Sequence, residues 1–378
     1  MSFLNLSYQN IHFLHPSSSS TPITLPPLPP SITHSYIPTP QGDLEILHSS
    51  PLATQKSQPA LFFIHGGMGS ASVWIEYLSF FSSHALETAC YAVSMRGHGG
   101  SWYPSYLRMV YGTTKGDLAG DVVEGIKWAV GRERERLGLE GREEDVEVVL
   151  VGHSSGGGLV QFILSEGLLV GVGVGVRVKG LVLMGAVPGF GSLGVYLNWF
   201  SLDPLFTIRL LLHAWHPNSP LSTPPLVRRV FFSEQLPESY LLRFMSFMNR
   251  YESFLWPLGM GWRFVDPERI LLAISGWGDD TSRQGQGRVL VIAGEEDKIM
   301  TQDIMQRLAN WYRGAYKRLV EGEKIDGVVN DAEDGTEGQE DGMGVRYAVV
   351  PGAGHHCQND VDWEVGANKV MGFYQGLL

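Results

Sequence analysis

The chain has 378 residues, of which 44% are hydrophobic and 18% are charged, and its formal net charge at pH 7 is −11. This length and composition are typical of a globular enzyme that buries a full core and carries an extra subdomain, and they exclude a fibrous or disordered protein. The sequence has no basic stripe, so nucleic acid is not an expected partner.

Most of the negative charge lies in one short segment. Residues Glu321 to Asp341 contain nine acids and one lysine, which account for −8 of the total charge. Acids and glycines dominate there and large apolar residues are few, so residues 320–344 are predicted to be a flexible acidic insertion. The two cysteines, Cys90 and Cys357, do not form a disulfide framework, which favours a reducing compartment and a cytoplasmic location.

The N-terminal segment has an unusual composition. Residues Met1 to Gly42 contain no Lys, Arg, Asp or Glu, and residues 17–40 are rich in serine and proline. A secretory signal needs a basic start and a continuous apolar stretch, and a mitochondrial one needs arginines. Neither occurs here. Because the segment is rich in serine and proline, residues 1–34 are predicted to be a flexible arm. The longest apolar run elsewhere, residues 168–176, is too short to span a bilayer, and no transmembrane segment is predicted.

Short apolar strands that alternate with helical patterns begin at residue 35. The first two are separated by a turn sequence and predict a hairpin. The later strands are apolar on both faces, which indicates an α/β fold with a mostly parallel central sheet covered by helices on both faces. The predicted strands are residues 35–37, 44–47, 60–64, 90–94, 148–151, 180–184, 289–292 and 347–350.

The fifth predicted strand ends in the sequence GHSSG at residues 152–156, which fits the G-x-S-x-G pattern of a nucleophile elbow. A serine on so tight a strand-to-helix turn takes strained backbone angles, and a Cβ two residues before or after it would collide with the neighbouring backbone. Glycines at both places avoid this collision. Ser154 is therefore the predicted nucleophile. Ser155 is a poorer candidate, because His153 would then occupy a position that must be small.

Backbone N–H groups beside this turn are predicted to bind the oxyanion of an acyl-transfer intermediate. The N–H of Ser155, at the start of the helix, points into the space where that charge would form. The second donor is expected from the glycine-rich loop after the third strand, either from Gly67 or from Met68.

The parallel pattern lapses between residues 188 and 286, which predicts a mainly helical cap between two parts of the core, residues 35–187 and 287–378. After Pro237, apolar residues recur at helical spacing as far as Phe254, which predicts a helix buried on two faces. Large side chains are expected to line an apolar pocket over the nucleophile. The candidate pocket residues are His153, Trp199, Phe206, Trp215, Phe244, Phe247 and Trp256.

A serine is a weak nucleophile until a neighbouring base removes its proton. The candidate bases are His355 and His356, on a loop after the last strand; neighbours on an extended loop point in opposite directions, so only one can reach the serine. Asp297, after the seventh strand, is predicted to orient the imidazole, with Glu295 and Glu296 as alternatives. No metal site is predicted, because the consecutive residues 355–357 lack ligand spacing.

The chain resembles the α/β-hydrolase family, whose catalytic residues follow the order Ser, Asp, His. The resemblance implies that His355 is the base, since similar enzymes place the catalytic histidine directly after Gly-x-Gly. Ser94 departs from the family pattern, where many relatives have an aspartate, and this concerns only the packing of its loop. The motifs that carry the resemblance are HGG at 65–67, RGHGGS at 96–101, GHSSG at 152–156, GEED at 294–297 and GAGH at 352–355.

The resemblance implies a capped serine hydrolase that cleaves an apolar carboxylic ester through an acyl-enzyme. A thioesterase, lactonase or acyltransferase would use the same residues, and a ligand-binding receptor that keeps the triad without turnover is an alternative of another class. A serine nucleophile argues against dehalogenases and epoxide hydrolases, which carry an aspartate. The expected partner is a small apolar acyl substrate, no cofactor is predicted, and the sequence does not predict the oligomeric state.

Overall fold

A central sheet of nine strands runs through the computed structural model, which describes residues 5–14, 27–49, 58–83, 88–170, 175–278, 287–327, 329 and 341–378. The strands are β1 Thr33–Ile37, β2 Leu44–Ser49, β3 Ala60–Ile64, β4 Cys90–Val93, β5 Val146–His153, β6 Val176–Met184, β7 Val289–Gly294, β8 Asp341–Gly342 and β9 Val345–Val350. Their order across the sheet is β1-β2-β4-β3-β5-β6-β7-β9-β8.

Parallel pairing dominates this sheet. It connects β4, β3, β5, β6, β7 and β9 in turn, whereas antiparallel pairing is confined to β1–β2, β2–β4 and β8–β9 at the edges. Successive side chains of a strand point to opposite faces, and in β3 both Phe62 and Phe63 are buried. The sheet is therefore covered on both sides, and the predicted fold class is confirmed.

Helices form a layer on each face. The helices are α1 Ile75–Ser83, α2 Tyr106–Gly112, α3 Lys115–Leu137, α4 Ser154–Ser165, α5 Leu193–Leu202, α6 Phe206–Leu212, α7 Pro224–Phe231, α8 Glu238–Ser246, α9 Leu255–Leu258, α10 Pro267–Leu272, α11 Gln302–Glu321 and α12 Trp363–Gln375. Phe63 packs in a cluster with α1 and α12, whereas Phe62 packs on the other side in a cluster with α3, α4, α10 and α11.

The segment between β6 and β7 contains helices α5 to α10. The sequence predicts a helical cap here, and the part of this segment with helices α5 to α9 is called the cap below. The predicted end of that cap, residue 286, is too late, because α10 packs against α4 and α11 of the core. Directly after α10, the N–H of Ser275 donates to the carbonyl oxygen of Val178 at 2.8 Å, next to the sheet. The segment from α10 to residue 278 therefore belongs to the core, and residues 279–286 lie outside the described residues.

The helix predicted from Pro237 to Phe254 is shorter than expected. α8 ends at Ser246, and the carbonyl oxygens of Asn249 and Arg250 accept hydrogen bonds from the Asn218 side chain at 3.0 and 3.1 Å. Contacts from a distant part of the chain thus replace helical bonds. The residues between α8 and α9 form an irregular segment, and Glu252 in this segment accepts a hydrogen bond from the N–H of Met68.

The predicted N-terminal arm lies partly against the cap. Tyr8 Oη donates to the carbonyl oxygen of Leu212 at 3.2 Å, and the ring of Phe13 lies 5.0 Å from Tyr106 and 5.1 Å from His216, measured between ring centroids. The aromatic rings of residues 5–14 thus contact the folded protein, and the flexibility of the arm stays a prediction. Residues 1–4 and 15–26 lie outside the described residues.

The acidic insertion is described only at its ends. α11 ends at Glu321, β8 pairs with β9, and residues 328 and 330–340 lie outside the described residues. Within the described part of the chain, none of the helices has both the length and the apolar character needed to cross a membrane.

Candidate active site

Ser154 lies at the turn between β5, which ends at His153, and α4, which it begins. Its φ is +53°, a left-handed conformation that costs a residue with a side chain about 1–3 kcal/mol. A Cβ on Gly152 would lie 2.6 Å from the Cα of Gly157, and one on Gly156 would overlap the carbonyl oxygen of His65. The turn therefore requires both glycines, for the steric reason that the sequence pattern indicates.

Ser154, His355 and Asp297 are joined by two hydrogen bonds. Ser154 Oγ donates to His355 Nε2 at 2.9 Å, and His355 Nδ1 donates to Asp297 Oδ2 at 2.8 Å. The three residues follow β5, β9 and β7, whose carboxyl ends lie at one edge of the parallel sheet. The structure thus brings together the three side chains that the sequence predicts as nucleophile, base and orienting acid.

The carboxylate of Asp297 is fixed on both oxygens. It is buried, and its Oδ1 accepts hydrogen bonds from the backbone N–H groups of Ile299 and Met300 at 3.0 and 2.9 Å. The alternative Glu295 instead uses Oε2 to accept from the N–H of Gly352 at 2.7 Å, at an exposed position. Only Asp297 among the three predicted acids is bonded to the imidazole in the described structure.

We expect Asp297→Asn to lower kcat by about 10,000-fold, as loss of the orienting acid does in serine hydrolases. In the wild type, one carboxylate oxygen accepts from His355 and the other accepts from two backbone N–H groups. The N–H₂ group of the Asn amide must replace one of these oxygens. In either orientation it therefore faces a hydrogen-bond donor. Steady-state kinetics with a nitrophenyl ester measures the loss. The exposed Glu295→Gln serves as the control, and an active Asp297→Asn would contradict the assignment.

His356, the alternative base, points away from the nucleophile. Its ring centroid lies 4.5 Å from that of His153 and 4.8 Å from those of Phe231 and Phe244. Burial, with a smaller contribution from His355, holds the pKa of His356 well below its ordinary value, so its ring is neutral. The described contacts of His356 are those of a packed side chain.

Both predicted loop donors of the oxyanion site have internal partners. The N–H of Gly67 donates to Ser155 Oγ at 2.8 Å, and the N–H of Met68 donates to Glu252 Oε2 at 3.0 Å. Glu252 is not predicted from the sequence, because a single acid within an apolar helix pattern has no distinctive spacing. Its position becomes evident only in the folded chain.

The cap contacts the histidine loop directly. The ring of Phe231 stacks on that of His355, with 5.8 Å between centroids. Asp360 Oδ2 accepts from the backbone N–H groups of Ser233 in the cap and Gly354 in the loop, both at 2.8 Å. Asp360 is not predicted from the sequence either, because no sequence motif marks it. This carboxylate connects the loop that carries His355 to the cap.

A cavity of about 390 Å³ lies between the cap and the core. Two predicted pocket residues, Phe244 and Phe247, line it together with Met68 of the oxyanion loop. The cavity is not purely apolar, since Arg243 and Glu76 also line it, and burial raises the pKa of Glu76 while Arg243 partly opposes that shift.

The other predicted pocket residues do not line this cavity. His153 is fully buried and its Nε2 donates to the carbonyl oxygen of His355 at 3.0 Å, so it supports the histidine loop. Trp256 is buried next to His98. Trp215 is 50% exposed, in the turn after α6. Trp199 and Phe206 are half-buried in the cap.

No three His, Cys, Asp or Glu side chains in the described parts of the chain are grouped so that they could hold a metal ion. The site consists of a serine, an imidazole and a carboxylate, with backbone N–H groups nearby. Such a set can transfer a proton from a hydroxyl and stabilise the charge that develops on a carbonyl oxygen.

Comparisons with known proteins give one family. The profile described as "Alpha/beta hydrolase family" matches residues 61–364, which is most of the chain. No curated protein sequence matches this chain.

Several solved structures share the fold at low sequence identity. An esterase from Thermogutta terrifontis has a TM-score of 0.54 at 17% identity, covering 91% of this chain and 99% of its own. The 2-hydroxy-6-oxo-6-phenylhexa-2,4-dienoate hydrolase from Rhodococcus sp. strain RHA1 has a TM-score of 0.53 at 18% identity, with coverages of 91% and 99%. An esterase from Exiguobacterium antarcticum has a TM-score of 0.53 at 15% identity, with coverages of 91% and 100%. At these identities the likeness shows the fold alone.

Proposed function

The chain belongs to the alpha/beta hydrolase family, and on this premise we propose that it is a serine hydrolase that cleaves an apolar carboxylic ester through an acyl-enzyme. The observation that carries the proposal is the hydrogen-bonded series of Ser154, His355 and Asp297. The esterases of the same fold add support, and because they are distant, the choice of ester is argued from the site itself.

In the first half of the reaction, Ser154 Oγ attacks the ester carbonyl while His355 Nε2 takes its proton. The Asp297 carboxylate stabilises the imidazolium that forms. The carbonyl oxygen becomes an oxyanion, which the N–H of Ser155 and one N–H of the loop at residues 66–68 stabilise. His355 then gives the proton to the leaving alkoxide oxygen, and the acyl group remains on Ser154.

In the second half, water attacks the acyl carbonyl and His355 takes a proton from it. The second tetrahedral intermediate forms in the same oxyanion site. Its collapse breaks the bond to Ser154 Oγ, which recovers its proton from the imidazolium. The carboxylic acid leaves, and Ser154 and His355 return to their starting protonation states.

The apolar side chains of the cavity favour an acyl group with a hydrocarbon chain. Phe232, Phe244, Phe247 and Met248 come from the cap, and Met68 of the oxyanion loop also lines the cavity, whereas Ser154, Asp297 and His355 do not. Arg243 and Glu76 line the same cavity, and they suit a substrate that also has a polar group. Burial of the hydrocarbon part provides the binding energy.

A fluorophosphonate probe and a panel of nitrophenyl esters, thioesters and lactones test the proposal. We expect the probe to label Ser154 and the oxygen esters to turn over many times per enzyme molecule. If the enzyme prefers thioesters or lactones, or transfers the acyl group to an added alcohol, the preferred reaction becomes the assigned function in place of ester hydrolysis. Binding followed by one turnover or less would identify a receptor.

We expect kcat/KM to rise with acyl length by about fourfold per methylene, or about 0.8 kcal/mol, until the cavity is filled. Phe244→Ala and Phe247→Ala should reduce kcat/KM for octanoyl esters more than for acetyl esters, because acetate never makes the lost contacts. The control is Phe200→Ala, a cap phenylalanine that is 53% exposed. Equal losses at every chain length would mean that Phe244 and Phe247 only hold the cap together.

A further inference from the structure

Glu252 is a buried carboxylate of the cap that reaches the oxyanion loop of the core. It lies in the irregular segment between α8 and α9 and is only 6% exposed. Its Oε2 accepts the N–H of Met68 at 3.0 Å, and this oxygen is also 3.5 Å from the place where a Cβ on Gly67 would lie. The cap therefore contacts the loop that provides one of the oxyanion donors.

The charge of Glu252 is balanced inside the protein. His98 is fully buried, its Nε2 lies 2.9 Å from Glu252 Oε2, and its Nδ1 lies 2.9 Å from the carbonyl oxygen of Arg96. A carbonyl and a carboxylate only accept, so both ring nitrogens donate and the imidazole is positively charged. Burial alone would lower the pKa of His98, but the Glu252 carboxylate raises it above its ordinary value.

Further hydrogen bonds hold the carboxylate in place. The N–H of Ser253 donates to Oε1 at 2.8 Å, and Asn249 Nδ2 lies 3.4 Å from Oε2. Asn249 Nδ2 also donates to the carbonyl oxygen of Tyr251 at 2.9 Å. An ionised, paired and fully bonded carboxylate is costly to displace, so its bond to Met68 persists when a substrate enters.

The N–H groups of Gly67 and Met68 thus differ in how easily a substrate oxygen can replace their present acceptors. Gly67 donates to Ser155 Oγ, a hydroxyl on a rotatable bond that a substrate oxygen can replace. Met68 donates to a fixed carboxylate, and its φ of +63° is a strained conformation that persists only where its surroundings impose it. The bond to Glu252 is the contact in a position to impose it.

We propose that Glu252 is a positioning residue: it holds Met68 so that the N–H of Gly67, together with that of Ser155, faces the carbonyl oxygen of the substrate. This inference rests on the acyl chemistry proposed for Ser154. Because Glu252 belongs to the cap, the oxyanion site is fully formed only when the cap is seated on the core. Glu252 acts through the loop and does not touch the reacting atoms.

The test compares Glu252→Ala and Glu252→Gln with the control Glu238→Gln, an exposed acid of the cap. We expect Glu252→Ala to lower kcat by about 100-fold, the effect of losing one oxyanion donor, with KM unchanged within about threefold. Glu252→Gln should lose only about tenfold, because its amide oxygen still accepts the N–H of Met68. A kcat of Glu252→Ala equal to that of the wild type, or a loss confined to KM, would overturn the proposal.

Two further measurements separate positioning from a general structural role. The rate at which a phosphonate ester inactivates Ser154 should fall with kcat, since the phosphoryl oxygen occupies the oxyanion site. The double variant Met68→Gly, Glu252→Ala should be inactivated about tenfold faster than Glu252→Ala alone, because glycine takes a positive φ without strain. No recovery, together with an unchanged inactivation rate in Glu252→Gln, would contradict the proposal.

The inactivation rate also covers two other outcomes. If Glu252→Ala does not fold, the test relies on Glu252→Gln, whose side chain has nearly the same volume as that of Glu252. The inactivation rate of Glu252→Gln relative to the wild type then decides the question. If the wild type is labelled at Ser154 but hydrolyses no ester, ester hydrolysis is wrong as the function. The role of Glu252 is still decided by the inactivation rates of the variants.

Discussion

Ser154→Ala is expected to lower kcat by about a millionfold, the loss seen when the nucleophile of a serine hydrolase is removed. The alanine has no Oγ to attack the carbonyl or to donate to His355 Nε2. Steady-state kinetics with the best ester of the panel measures the change. The variant should also lose all labelling by the fluorophosphonate probe.

The fold should survive this substitution. Alanine has a Cβ like serine, so it meets the same positive φ at position 154 and the melting temperature should stay nearly constant. Ser246→Ala, in an exposed part of the cap, is the matched control and should keep full activity. Probe labelling of Ser155 in the wild type would show that the nucleophile has been assigned wrongly.

His355→Ala is expected to cost nearly as much, roughly 100,000-fold to a millionfold in kcat, because nucleophile and base act as a unit. His355 is the imidazole whose two nitrogens meet Ser154 and Asp297. Without it, the serine hydroxyl keeps its proton and the leaving group receives none. Kinetics over a range of pH measures the loss, and raising the pH should not restore the wild-type rate.

The neighbouring histidine provides the control for this variant. His356→Ala should keep kcat within about tenfold and should lower the melting temperature, because its ring packs between Phe231 and Phe244. An inactive His356→Ala beside an active His355→Ala would reverse the assignment of the base.

The sequence predicts the core well because apolar patterns specify it, and it also identifies Ser154, His355 and Asp297, which the folded chain brings together. Apolar runs on both faces of the strands specify a covered parallel sheet. The glycine at 152 avoids a collision with Gly157, close to Ser154 in the chain, whereas the glycine at 156 avoids one with the carbonyl oxygen of His65, after β3. The chain order of Ser, Asp and His then places one residue after each of three parallel strands. The apolar runs and the G-x-S-x-G pattern are visible in short windows of sequence, whereas the order of the three residues extends over 201 positions.

The cap is predicted less well because distant contacts decide it. The helix expected to reach Phe254 stops at Ser246, after which Asn218 bonds the carbonyl oxygens of Asn249 and Arg250. Glu252 meets Met68 across 184 positions of the chain. No periodicity marks such a pair, since each partner is an ordinary residue in its own segment.

The position of β9 has a consequence for how the protein is made. Ser154 and His355 are separated by 201 positions, and the histidine follows a strand that pairs with β7 and β8 near one edge of the sheet. Chains are synthesised from the N-terminus, and their early parts begin to fold first. A growing chain on the ribosome therefore carries its serine turn long before a base exists to deprotonate it. Under the proposed mechanism, hydrolytic reactivity would therefore arise only after β9 and the loop that carries His355 have been added.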